Sequence, residues 1–144
     1  MQTVRQLLNE KSQRALISVD PEFTVYQALQ VMADKDVGAV LVMENGGVIG
    51  IFSERDYARR IVLQGRTSVT TPVRDTMTSR VVYVQPENTL QQCMALMTDK
   101  HIRHLPVMED GLVIGMLSIG DLVRATIELQ QMEINQLVHY IQSA

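Results

Sequence analysis

The chain has 144 residues, a net charge of −3, 46% hydrophobic and 20% charged side chains, the make-up of a folded globular protein and not of a disordered one. The acidic balance excludes a general pull toward nucleic acid or anionic membrane, and with no Trp and 4% aromatics there is little exposed ring surface for base stacking. The single Cys93 excludes an intrachain disulfide, and neither a signal-peptide start nor a membrane-length apolar run is present, so a reducing, cytoplasmic setting of bacterial style is expected.

Val4 to Leu8 reads as a short helix, followed by a polar break over Asn9 to Arg14. Ala15 to Val19 is a strand candidate that stops at Asp20-Pro21. Thr24-x-x-Gln27 is a capping box, and the helix it opens carries Val25, Ala28, Leu29 and Met32 on one face. Val37 to Met43 is an apolar run of strand length, and Val48 to Phe52 returns after Glu44-Asn45-Gly46-Gly47, where Asn-Gly signals a hairpin. Ser53 opens a second helix with Ala58, Ile61 and Val62 inward, and Gln64 to Pro72 is a polar linker.

The program then restarts. Val73-Arg74-Asp75-Thr76-Met77 resembles Val4-Arg5-Gln6-Leu7-Leu8, Val81 to Val84 is a strand, and Thr89-x-x-Gln92 repeats the capping box ahead of Leu90, Cys93, Met94 and Met97. His104 to Met108 and Leu112 to Leu117 repeat the hairpin around Glu109-Asp110-Gly111. Pro21 recurs as Pro86, Gly50 as Gly115 and Asp56 as Asp121, all at an offset of 65 residues and without a gap. An internal repeat follows: repeat one over 1–66, a linker over 67–72, repeat two over 73–127 and a helical extension over 128–144, together one compact module. The expected fold is α/β, an α+β sandwich of two β-α-β-β-α units related by an approximate two-fold axis, with a cleft between them for a ligand.

Each repeat runs an apolar strand into a Gly, two apolar residues and Ser-x-x-Asp: Gly50-Ile51-Phe52-Ser53-Glu54-Arg55-Asp56 and Gly115-Met116-Leu117-Ser118-Ile119-Gly120-Asp121. The Ser and Asp have two readings. They cap a helix and satisfy its orphan N–H groups, or they offer a hydroxyl, N–H groups and a carboxylate to a ribose and phosphate. The nine methionines fall mostly at apolar-periodic positions and read as core filling. Gly46-Gly47-Val48-Ile49-Gly50 spans a hairpin, whereas a phosphate-cradling loop joins strand to helix. His101-x-x-His104 would place its side chains on opposite faces of a strand, so no metal site is expected.

With Pro21, Arg103-His104-Leu105-Pro106-Val107 and the paired Gly-to-Asp stretches, the chain resembles a tandem pair of cystathionine β-synthase (CBS) domains, the Bateman module, from about Thr3 to Ile127. The resemblance implies a regulatory module that binds AMP, NAD, ATP, ADP or S-adenosylmethionine between its repeats, in a small cytoplasmic homodimer. It implies that Asp56 and Asp121 accept the ribose hydroxyls, with Ser53 and Ser118 beside ribose and phosphate, and Ile51 and Met116 in the same two stretches. It implies that the Asp56 site is completed by Val82, Arg103, His104 and Pro106. The Asp121 site is completed by Ile17, Val37, Gly38 and Ala39, with Arg55 near its phosphates. Because Arg103-His104 is matched by Gly38-Ala39 and Arg55 by Gly120, more cationic groups are expected at the Asp56 site, which is expected to bind the more highly charged ligand or to bind more tightly.

No nucleophile, base and orienting group can be assembled, so a nucleotide-sensing regulator is expected, acting on a separate effector protein or through its dimer, and not an enzyme. A structural dimerisation module with an unoccupied cleft is the alternative. The last helix is expected to continue from Ile119 through Ile127, Ile134, Leu137, Val138 and Ile141, and to meet the same helix of a second chain.

Overall fold

A computed structural model of the protein describes residues 2–11 and 16–143. In chain order these form α1 (Val4–Glu10), β1 (Ser18–Val19), α2 (Val25–Lys35), β2 (Ala39–Glu44), β3 (Gly47–Ser53), α3 (Glu54–Tyr57), α4 (Leu90–Lys100), β4 (His104–Glu109), β5 (Leu112–Ser118) and α5 (Ile119–Ser143). The start of the first expected strand, Ala15, and residues 12–14 of the polar break lie outside the described residues. The fold is mixed α/β, with a three-stranded sheet β1-β2-β3 and a two-stranded sheet β4-β5.

Space partitions the chain differently from the repeat boundaries. One compact unit takes residues 15–82, and the other takes 1–14 together with 83–144. The leading segment of each repeat therefore packs with the body of the other repeat. In the unit of residues 15–82, β1 pairs parallel with β2 and β2 pairs antiparallel with β3. Helix α2 covers this sheet, and Val19, Val25, Ala28, Met32, Val40, Val42, Phe52, Ile61 and Val73 form its buried core. In the other unit β4 pairs antiparallel with β5, and Val4 and Leu7 of α1 are buried, as are Leu90, Cys93, Met97, Leu105, Leu117 and Leu122.

The local signals explain these elements. Thr3, Thr24 and Thr89 each accept a bond from the backbone N–H three residues on, and Gln6, Gln27 and Gln92 reach back to close three capping boxes. Both hairpins turn through two left-handed residues, Asn45-Gly46 and Asp110-Gly111, which matches the twist of the strands they join. The hairpin registers slip at equivalent places, between Val42 and Met43 and between Val107 and Met108. The leading segments dock alike too. Arg5 pairs with Glu87 (3.3 Å) and Glu109, and Arg74 pairs with Glu22 (2.8 Å) and Glu44.

Three expectations change. The strand expected over Val81 to Val84 shrinks to one parallel bridge between Val84 and Val107. In the first repeat the Leu41 N–H bonds the Ile17 carbonyl at 3.0 Å, but the residue matching Leu41 is Pro106, which has no N–H to give. Second, Ala58 and Val62 face solvent, and only Ile61 of the expected trio is buried. After α3 the chain enters a π-turn at Ala58–Val62, whose longer period brings Ile61 inward five residues after buried Asp56. Third, His101 closes α4 in the left-handed conformation and does not lie on a strand.

Gly50 and Gly115 hold the closest approaches. A Cβ on Gly50 would sit 2.5 Å from Met77 Sδ and 2.9 Å from the Thr78 carbonyl oxygen. Thr78 is held by reciprocal backbone bonds with Ile51, both 2.9 Å, so the backbone has no room to yield. The nearest contacts of a Cβ on Gly115 are with Leu8, at 2.7 Å from Cδ2, the far end of a flexible side chain. Gly50→Ala is expected to destabilise by about 2–3 kcal/mol and Gly115→Ala by about 1 kcal/mol or less. Urea unfolding of the two variants checks the ranking, and equal losses would refute it.

Candidate functional site

Both Ser-x-x-Asp segments form the same turn at the end of a hairpin strand. In the first, the Asp56 N–H donates to Ser53 Oγ (3.2 Å) and the Ser53 N–H donates to Asp56 Oδ2 (3.0 Å). In the second, the Asp121 N–H donates to Ser118 Oγ (3.2 Å) and the Ser118 N–H donates to Asp121 Oδ2 (2.8 Å). The next residue ties each turn to the strand opposite: Glu54 N–H to the Gly38 carbonyl (3.1 Å), and Ile119 N–H to the Arg103 carbonyl (2.9 Å). The capping reading of these residues is thus realised in full.

The other candidate residues follow from strand register. Around Asp56, Ala39 lies opposite Ser53, and Leu41 lies between Ile51, its partner across the hairpin, and the Ile17 carbonyl that its N–H bonds. Val37 and Gly38 lead into β2. Arg55 is exposed on the first turn of α3, and Val82 is half-buried in the same unit. Around Asp121, His104 lies opposite Ser118 and Pro106 opposite Met116. Arg103 is exposed and Pro106 is buried.

Contacts that the sequence did not reveal distinguish the two aspartates. Asp56 is 8% exposed; the Thr78 hydroxyl donates to its Oδ1 at 3.0 Å, and the Ser53 hydroxyl to its Oδ2 at 3.1 Å. Arg60 Nε stands 3.9 Å from Oδ1, while its Nη1 donates to the carbonyls of Thr76 (3.0 Å) and Met77 (2.8 Å). Asp121 instead meets Lys11, whose Nζ is 3.0 Å from Oδ2 and 2.6 Å from the Met116 carbonyl. Lys11 and Thr78 both follow the leading segments, which match at a different offset from the repeat bodies. Self-alignment at 65 residues therefore does not pair them with their aspartates.

The charge inventory also changes. Burial, with Lys11 and Arg103 nearby, lowers the His104 pKa to about 4 against the opposing pull of Asp121. His104 is therefore uncharged at neutral pH, and the expected cationic excess supplied by Arg103-His104 is reduced to Arg103. Burial pushes the Cys93 thiol up to about 11, far from the thiolate a nucleophile needs. No cluster of His, Cys, Asp and Glu able to hold a metal, and no helix long and apolar enough to cross a membrane, occurs among the described residues.

The CBS domain family matches the chain twice, over residues 4–63 and 73–128. The chain is 45% identical over 124 residues to the CBS domain-containing protein CBSX3, mitochondrial, of Arabidopsis thaliana, covering 83% of this chain and 60% of that protein. It is 34% identical over 105 residues to the CBS domain-containing protein YhcV of Bacillus subtilis (strain 168), covering 73% of this chain and 74% of that one. It thus spans about three-fifths of the length of the plant protein and three-quarters of the bacterial one. Among solved structures, a protein with CBS domains from Burkholderia ambifaria MC40-6 superposes with a TM-score of 0.85 at 47% identity, over 88% of this chain and 94% of that chain.

Proposed function

The chain belongs to the CBS-domain family as a tandem pair, and from that premise we propose that it is a regulatory module that binds an adenine nucleotide, AMP or NAD before ATP, ADP or S-adenosylmethionine. The observation that carries this reading is the same Ser-x-x-Asp turn built twice, with each carboxylate fixed at a helix start. A carboxylate accepts the two vicinal hydroxyls of a ribose, and basic side chains near it favour a phosphate. Each Asp already spends part of its acceptor capacity on its own turn, so the ribose must use what is left. Binding acts by population shift: a ligand that prefers one conformation enriches it, and a separate effector protein reads the result. Catalysis has no part in this proposal. The proposal includes a homodimer through the exposed face of α5.

Thermal unfolding with and without AMP and NAD tests the reading, using protein freed of co-purified small molecules. Ligand at one hundred times Kd stabilises by about 2.7 kcal/mol through mass action. That gain is expected in the wild type and is expected to vanish in the Asp56→Asn/Asp121→Asn double variant. Absence of a shift with any adenine nucleotide would favour a structural dimerisation module, for which these carboxylates serve only as helix caps.

A further inference from the structure

The two aspartates are met by different chemistry from their leading segments. At Asp56 the partner is neutral: the Thr78 hydroxyl contacts the carboxylate, and the Thr78 N–H bonds the Ile51 carbonyl at 2.9 Å. At Asp121 one ammonium performs both tasks. Lys11 Nζ contacts the carboxylate, and it donates to the carbonyl of Met116, the residue matching Ile51. The Lys11 and Asp121 side chains are only 24% and 16% exposed, so water screens this pair weakly and the lysine stays in place. His104, opposite Ser118, adds no charge at neutral pH.

We propose that Lys11 determines specificity at the Asp121 site, holding a fixed positive charge beside the ribose-binding carboxylate so that this site takes a phosphorylated nucleoside in preference to the bare nucleoside. The proposal rests on the adenine-nucleotide reading. A ribose set against an unpaired carboxylate brings its own phosphate into a repulsive field, and the ammonium cancels that field while the carboxylate still accepts the hydroxyls. Both the Ser118 N–H and Lys11 fall on Oδ2, on the side of the carboxylate turned to the protein's own backbone. At Asp56 the nearest guanidinium is farther from the carboxylate and is committed to two backbone carbonyls, so charge discrimination there is weaker.

The test titrates AMP and adenosine into the full chain, wild type and Lys11→Met, with the Met116 methyl group as the NMR reporter of the Asp121 site and the Ile51 methyl groups as reporters of the Asp56 site. At Met116, Lys11→Met is expected to weaken AMP about five- to tenfold and leave adenosine within about twofold, and Lys11→Arg to restore AMP. The Ile51 response is expected to stay unchanged. Loss or gain of AMP and adenosine in parallel would make Lys11 a prop or a plug and overturn the assignment, as would an unchanged ratio. A wild type that binds neither ligand at either reporter overturns the nucleotide reading itself, and the assignment with it.

Discussion

Replacing Ile134 and Leu137 together with aspartate is expected to convert a dimer into a folded monomer. From 130 to 143 every described residue of α5 is exposed, yet the helix carries Ile127, Ile134, Leu137, Val138 and Ile141 at exposures between 46% and 72%. A helix of this kind draws little stability from propensity alone and needs a partner for its apolar face. The spacing identifies one. Val123, Ile127, Gln130, Ile134, Leu137 and Ile141 follow each other at alternating steps of four and three, the seam of a two-stranded coiled coil in which Ile and Leu favour two strands. A seam of this pattern is complementary to itself, which supports the proposed homodimer through this helix. Gln130, polar within the seam, lowers the stability of that layer.

Each aliphatic side chain contributes about 1.5–3 kcal/mol when buried, and the double variant removes two from each copy and adds four charges, enough to weaken association at least a hundredfold. Sedimentation velocity at micromolar concentration reads the outcome directly. The far-UV signal should persist apart from that of the exposed end of α5, because neither side chain belongs to a unit's buried core. A wild type that sediments as a monomer, or a double variant that remains a dimer, would remove α5 as the interface.

Acidification should destabilise the protein through His104. Its ordinary pKa of 6.5 falls to about 4 in the folded state, so between these values the unfolded chain binds a proton that the folded chain refuses. Stability therefore rises with pH across that window: this contribution is fully present above pH 6.5 and is lost as pH falls toward 4. The shift corresponds to roughly 3 kcal/mol at its limit. The groups facing the imidazole are Lys11 and Arg103, which oppose its protonation, and Asp121, which favours it. Urea unfolding of the wild type and His104→Gln at pH 7, 6, 5 and 4.5 isolates the effect from the titrating carboxylates. The wild type should lose about 2–3 kcal/mol more than the variant over this range. Parallel losses would show that His104 protonates freely in the folded state.

Much of the architecture was legible because it rests on local chemistry written twice. Apolar runs on either side of Asn45-Gly46 and Asp110-Gly111 gave the hairpins, Thr-x-x-Gln gave the starts of α2 and α4, and the unbroken apolar pattern beyond Ile119 gave the length of α5. The failures came where a tertiary or backbone condition overrode the pattern. A π-turn re-aimed Ala58 and Val62, and proline at 106 withheld the N–H that a second β1 needed. At the candidate site the Ser and Asp positions were plain from the repeat. Their partners Thr78 and Lys11 were not, because docking of the leading segments, not spacing along the chain, brings them there. The charge of His104 was equally hidden, since residue identity carries no record of burial.

The exchange of leading segments has a bearing on ancestry. A lone copy of the duplicated unit, packed as these two are, would keep its N-terminal arm away from its own socket. Before fusion, such a polypeptide could satisfy both only by trading arms with a sibling molecule. The present gene would then be a reciprocal partnership made permanent by a covalent join, with each half now dependent on a stretch encoded in the other.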